Sequence, residues 1–419
     1  MRLSHFSSAN LVAFLTLGAQ ALFVRSSRDE HRQRLLVQRS DRLPTPIHGP
    51  HGFPPDNTHD NPPASGFHPP ELPETVSFFH INDMHAHIDE WVGGAEVDCK
   101  DTHRKDGQCV GGSARLKSAV HRLRSENKHS LFLVAGDETT GTLFYSYHGH
   151  PILAEALNDV GVDGFTLGNH EFDEGTKGLA KFLPLLNCPI LAANIESENE
   201  VVNTTVVPYH IYWEQGVAVI GAVTETTKTE SRPGRETKFH DVVSTIQKTV
   251  DEILSTTNIT RIVALTHIGY DEDKELARST TGLSLIIGGH TDTPLGPMVG
   301  RDDEPPDGEY PTIEKNLDGE KVYIVTDFHW SEWLGHVDMT WDESGQVVKV
   351  VGKPVHLVQS LPQEPKLKAK VHEWREAFAP WAAEIIGHAD VELESSNCKK
   401  EPCLFGELLS EQVALFASL

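Results

Sequence analysis

The 419-residue chain carries 61 Asp and Glu against 36 Lys and Arg, a formal net charge of −25 with His neutral. That excess repels a phosphodiester backbone and argues against nucleic-acid binding, yet leaves a small phosphate ester free to approach a local cationic centre. The length suits one large domain plus a fragment. In chain order, residues 1–21 combine Arg2, an apolar stretch from Leu11 to Leu17 and Ala19-Gln20-Ala21 as a cleavage site, the pattern of a signal peptide on a secreted protein. Residues 22–73 read as a disordered segment, Arg-rich at first and then rich in Pro, His and Gly. No later stretch is apolar enough for a membrane helix, and the last residues are too few for a lipid-anchor tail, so no membrane anchor is expected in this chain.

From Val76 onward one arrangement recurs: a short apolar run, then a polar island. Val76–Ile81 leads to Asp83 and His85, Leu131–Ala135 to Gly136-Asp137, and Gly164–Leu167 to Asn169-His170-Glu171-Phe172-Asp173. Ile262–Leu265 leads to His267, and Leu283–Ile287 to His290-Thr291-Asp292. The runs carry buried-strand signals, and helical patterns such as Ala114–Ser125 and Pro151–Val160 lie between them. Alternating strands and helices predict an α/β sheet whose ligands gather beyond the carboxyl ends of the strands.

Each island has an ordinary reading by itself. Gly-Asp is a common turn, and Asn169 with its acidic neighbours suits a helix amino terminus. Five such islands in order, each after a strand, are a different matter. Their Asp, Asn and His donors suit Zn, Mn, Fe or Co, and no thiolate is among them. Asp137 is the natural bridging carboxylate of a two-metal site. His170, beside Asn169, is better placed to meet phosphoryl oxygens or protonate a leaving group, with Asp173 setting its tautomer. Five cysteines fit an oxidising compartment: Cys99 with Cys109 and Cys398 with Cys403 form close pairs, and Cys188 is left over as a buried thiol. Asn203-Thr204-Thr205 and Asn258-Ile259-Thr260 are glycosylation sequons.

The ordered set, from Asn82-Asp83-Met84-His85 through Gly-Asp and Gly-Asn-His-Glu-Phe-Asp to Gly288-Gly289-His290-Thr291, resembles the signature of metallophosphoesterases with the calcineurin-like fold. Gly111–Leu116 and Pro189–Ile195 point to the 5′-nucleotidase branch of that family. The resemblance implies a four-layer α/β/β/α sandwich over residues 74–362, a linker helix within 363–390, and the start of a truncated second domain at 391–419. It implies two divalent ions: one on Asp83, His85, Asp137 and Asp292, the other on Asp137, Asn169, His267 and His290. His170 and Asp173 would form the catalytic dyad, with Asn169 and His170 also meeting substrate, and Lys399 is the closest match to a basic substrate residue of relatives. Pairing of Cys99 with Cys109 matches the family's loop before Gly111-Gly112.

The implied activity is hydrolysis of nucleoside 5′-phosphates by a metal-bridged hydroxide. A phosphodiesterase, a nucleoside di- or triphosphate or UDP-sugar hydrolase, or a catalytically weak secreted binding protein remain alternatives. One position departs from the family: where Asp292 stands, relatives usually carry neutral His, Gln or Asn. Three carboxylates against two divalent ions would leave one net positive charge rather than two, holding metal more firmly and a phosphate dianion more weakly.

Overall fold

The computed structural model describes residues 72–94, 97–300, 304–385, 388–393, 398 and 401–417. The expected leader, the segment from 22 to 71 and Lys399 lie outside the described residues. The chain divides into two compact units after Arg375.

In the first unit, β1 (Thr75–Ile81), β2 (Ser130–Val134), β3 (Gly164–Thr166), β4 (Ile190–Leu191) and β5 (Val206–Val207) lie side by side, all parallel. The chain then builds a second sheet from β6 (Tyr209–Tyr212), β7 (Val217–Val223), β8 (Arg261–His267), β9 (Leu283–Ile287), β10 (Thr312–Lys315) and β11 (Lys321–Val325). Its order is β6-β7-β8-β9-β11-β10, with β7, β8, β9 and β11 parallel and the two edges antiparallel. It returns to the first sheet with β12 (Trp333–Trp341), antiparallel to β1, and β13 (Val347–Gly352) at the edge.

Alternation of side chains along each strand sorts the core into layers. Phe78, Leu131 and Leu133 of the first sheet meet Val217, Val219, Val263, Leu265, Leu285 and Ile287 of the second in one buried cluster. The helices α1 (Ser113–Glu126) and α2 (His150–Val160) connect β1 to β2 and β2 to β3. Phe79, Ile81, Phe132 and Val134, on the opposite face of the first sheet, are also fully or almost fully buried. On the outer face of the second sheet, Ala218, Ile220, Ile262, Ala264 and Ile286 pack with Ile246, Val250 and Ile253 of α3 (Val242–Thr256) and Leu276 and Ala277 of α4 (Tyr270–Ser279). The architecture is the expected α/β/β/α sandwich. Strands buried on both faces explain why their sequences are continuous apolar runs rather than alternating ones.

A further helix, α5 (Pro365–Ala382), begins where the carboxylate of Glu364 accepts the backbone N–H of Leu367 at 2.7 Å, with Pro365 preset for the first turn. Lys117 of α1 ties Glu364 (3.5 Å) and Asp159 of α2 (2.9 Å) together. In the second unit, α6 (Leu404–Ala417) follows the disulfide Cys398–Cys403. The other expected pair, Cys99–Cys109, is also bonded. Cys188 is free but half-buried rather than buried, because it sits in the turn ahead of the short strand β4.

Candidate metal centre

Because β1, β2 and β3 run one way, and β8 and β9 share a direction, the segments that end them collect at common edges. Asp83 and His85 follow β1, Asp137 follows β2, Asn169–Asp173 follow β3, and His290 and Asp292 follow β9. His267 is itself the last residue of β8, paired with Val223, so the strand runs further than the apolar run suggested. Asp83, His85, Asp137, His290 and Asp292 have φ of 49, 45, 57, 90 and 47°. Such left-handed residues typically cost roughly 1–3 kcal/mol each and gather where function demands a particular side-chain direction. Two glycines allow the loops to touch. A Cβ on Gly136 would lie 2.6 Å from the backbone nitrogen of Gly168, and one on Gly168 would lie 2.2 Å from Asp137 Oδ1.

The side chains converge with one atom tied and one atom turned inward. Asp83 Oδ2 accepts from Asn82 Nδ2 (2.9 Å) and the backbone N–H of His290 (2.8 Å), while Oδ1 lies 3.8 Å from His85 Nε2 and 3.9 Å from His267 Nε2. Asp137 Oδ1 accepts the backbone N–H of His170 (2.8 Å), leaving Oδ2 at 3.1 Å from His267 Nε2, 3.9 Å from His85 Nε2 and 4.0 Å from His170 Nε2. His267 Nδ1 donates to the carbonyl of Ala135 at 2.7 Å, and His85 Nδ1 lies 3.3 Å from that of Thr139. His170 Nδ1 donates to Asp173 Oδ2 at 2.7 Å. The nitrogen and oxygen atoms of His85, Asp137 and His170, and those of Asp137, His267 and His290, form two clusters within 4.8 Å that share Asp137.

Protonation follows from burial and neighbours. Burial, with repulsion from Asp137 and Asp292, pushes Asp83 up to about 8 against the pull of His267. Burial would also raise Asp137, but His267, His170 and His85 hold it well below the usual carboxylate range. His267 is raised to about 10, since Asp137 and Asp83 outweigh its desolvation, whereas burial lowers His85 to about 4. His170 is raised to about 9: burial opposes the charge, but the Asp173 hydrogen bond and the Asp137 charge overcome it.

Two buried atoms test whether cations fit. Among the described residues Asn169 Oδ1 has no hydrogen-bond partner, and His267 Nε2 turns to the carboxylate of Asp137 at 3.1 Å. A buried amide oxygen is costly without a partner, and amide oxygen, imidazole nitrogen and carboxylate oxygen are all metal ligands. The residues present therefore suit divalent ions.

Asp292 belongs to neither cluster among the described residues. Its Oδ2 lies 3.7 Å from Nδ1 of the buried His329, and its charge reaches Asp83. Several neighbours escaped the sequence reading. Ser231 Oγ lies 2.6 Å from the carbonyl of Asn169 and 2.9 Å from Asp173 Oδ1, and Glu230 Oε2 lies 3.8 Å from His290 Nε2. Nothing in the local pattern of Thr224–Pro233 singles them out. Asn82, which links Asp83 to the carbonyl of Phe328 and the backbone of Asp327, did stand in a recognisable motif. His87 stacks on Trp330 with ring centroids 4.0 Å apart.

Residues 76–294 match the calcineurin-like phosphoesterase family model. The chain is 32% identical over 351 residues to a 5′-nucleotidase of Bos taurus, covering 82% of this chain and 60% of the relative. It is 32% identical over 349 residues to a snake venom 5′-nucleotidase of Gloydius brevicauda, covering 81% and 58%. The solved 5′-nucleotidase precursor of Thermus thermophilus superposes with a TM-score of 0.68 at 30% identity, over 76% of this chain and 62% of that one. The NAD nucleotidase of Haemophilus influenzae gives 0.65 at 25% identity, over 75% and 62%. The chain belongs to the calcineurin-like phosphoesterase family, a family of hydrolases. It spans about three fifths of the length of these curated relatives, 60% and 58% of the two described.

Proposed function

We propose that this protein is a secreted two-metal phosphohydrolase that cleaves nucleoside 5′-phosphates to nucleoside and phosphate. The observation that carries the reading is the convergence of the inward atoms of His85, His267 and His290 on Asp83 and Asp137, with Asn169 Oδ1 buried and, among the described residues, unpartnered. In this reading Asp83, His85, Asp137 and Asp292 hold one ion, and Asp137, Asn169, His267 and His290 the other. Divalent ions there would lower the pKa of a shared water and neutralise phosphoryl oxygens.

The chain's own groups supply the remainder. Asp137 Oδ1 is occupied by the backbone of His170, which aims Oδ2 between the two clusters. Asp173, steadied by Ser231, fixes His170 with its proton on Nδ1 and Nε2 toward the site. A water that gives up one proton to solvent attacks phosphorus opposite the ester oxygen, the bond to that oxygen breaks, and His170, charged and protonated on both nitrogens, donates its Nε2 proton to the departing 5′-oxygen. Residues 74–362 would be the catalytic domain, 363–390 the linker, and 391–419 the opening of a second domain in which Lys399 would meet substrate. Exposed asparagines in both sequons and the two disulfides support passage through an oxidising, glycosylating compartment. The likeness to a NAD nucleotidase favours a diphosphate linkage as a second reading.

Phosphate release with Mn²⁺ or Zn²⁺ from AMP, ADP, a UDP-sugar and a cyclic nucleotide separates these substrates. Turnover of AMP that disappears in Asp137→Asn supports the leading reading, and a chain inert toward all four with metal supplied would refute it.

A further inference from the structure

Glu171 lies in the middle of the Gly168–Asp173 motif and takes no part in the steps above. It is 1% exposed. Its Oε2 accepts the backbone N–H groups of Gly168 at 2.7 Å and Asp137 at 2.9 Å, and its Oε1 accepts those of Glu138 at 2.9 Å and Thr139 at 3.2 Å. Three of these donors sit on the loop after β2, and the fourth on the loop after β3. One carboxylate thus fastens the segment bearing Asp137 to the segment bearing Asn169 and His170. The return contact runs from the backbone N–H of His170 to Asp137 Oδ1 at 2.8 Å.

The chemistry of the contact leaves little latitude. All four partners are N–H donors, so both oxygens must accept. An amide of the same shape would set its own NH₂ against two N–H groups. An acid one methylene shorter keeps the charge but cannot span both loops at these distances. Hydrogen bonds to an ionised acceptor are also the stronger kind, which suits a clamp between two strained loops.

We propose that Glu171 is a positioning residue for the metal centre: touching neither ion nor substrate, it sets the separation of Asp137 and Asn169, and metal affinity depends on its carboxylate. The proposal rests on the two-metal reading above. Groups that orient ligands from behind typically change metal affinity by about 10–100-fold when removed.

The test is titration of the chelator-stripped full chain with Mn²⁺ by calorimetry, for wild type, Glu171→Gln and Glu171→Asp, alongside thermal melts of the metal-free proteins. Glu171→Gln is expected to melt cooperatively without metal and to bind Mn²⁺ about 10–100-fold more weakly, with Glu171→Asp in between because its charge is kept. If only Glu171→Gln fails to fold, the affinity of Glu171→Asp decides in the same way. Wild-type uptake matched by both folded variants overturns the role of Glu171 alone. A wild type that takes up no Mn²⁺ overturns the metal reading, and this one with it. Loss of the metal-free fold in both variants makes Glu171 a residue of the fold and also overturns the proposal.

Discussion

His267 Nε2 lies 3.1 Å from Asp137 Oδ2, and both groups are buried. His267 ends β8 in the second sheet and Asp137 follows β2 in the first, so this contact is where the two sheets meet to form the site. Once the imidazole gives up its Nε2 proton, a nitrogen lone pair and a carboxylate oxygen at that distance are placed to share a cation. Replacing Asp137 by Asn keeps the shape and removes the charge. Metal content measured by mass spectrometry is expected to fall, and phosphate release to drop by about 10³-fold, equivalent to several kcal/mol of lost charge stabilisation. A variant with full metal content and full turnover would remove Asp137 from the centre.

His170 borders the same carboxylate at 4.0 Å, but its other nitrogen is held by Asp173 at 2.7 Å. If it serves as the acid, Asp173→Asn leaves the ions in place and lowers kcat by roughly 10²–10⁴-fold. If His170 is a ligand instead, His170→Asn strips metal. Metal content and kcat measured on the two variants together distinguish these roles.

Asp292 adds a negative charge beside Asp83, to which its repulsion is already transmitted. Asp292→Gln is expected to lower the inhibition constant of inorganic phosphate by about tenfold, the size of one nearby charge at intermediate dielectric, while loosening metal. An unchanged inhibition constant counts against the charge argument.

His80 offers a pH test away from the centre. Burial, reinforced by His336, lowers its pKa to about 3, and its Nε2 pairs with the hydroxyl of Tyr310 at 2.8 Å. The unfolded chain protonates a histidine near its ordinary value of about 6.5. Between those values the unfolded state binds a proton that the folded state refuses, so stability falls as pH falls through this window. The slope contributed is about 1.4 kcal/mol per pH unit at most. Denaturant melts of His80→Gln between pH 4 and 6 should show a flatter pH dependence than wild type. An identical slope would mean that His80 does not titrate on unfolding.

Much of the fold was legible because its signals are local. Leu283–Ile287 is a strand with the boundaries its apolar run marks. The helix α1 extends the expected Ala114–Ser125 by one residue at each end, and α2 starts one residue before Pro151. The division into two sheets was less so. Whether β7 and β8 pair with each other or with β2 depends on contacts between residues distant in the chain, and a buried parallel strand has the same apolar run in either sheet. His267 reads as following its strand, because a polar residue breaks the apolar pattern, yet the backbone goes on pairing with Val223.

Residue type and short-range spacing fix the kinds of donor, their order and their attachment to strand ends. Which atom of Asp83, Asp137 and His267 faces inward follows from packing. His170 is tied by Asp173 of its own motif, whereas the tying partners of Asp83, Asp137 and His267 include backbone groups of other segments: the N–H of His290, the N–H of His170 and the carbonyl of Ala135. The same holds for Glu171, a helix-start residue by its local pattern and a clamp of two loops once four distant and near N–H groups close around it. Hydrogen-bond partners across loops are fixed by packing, and packing has no one-dimensional signature.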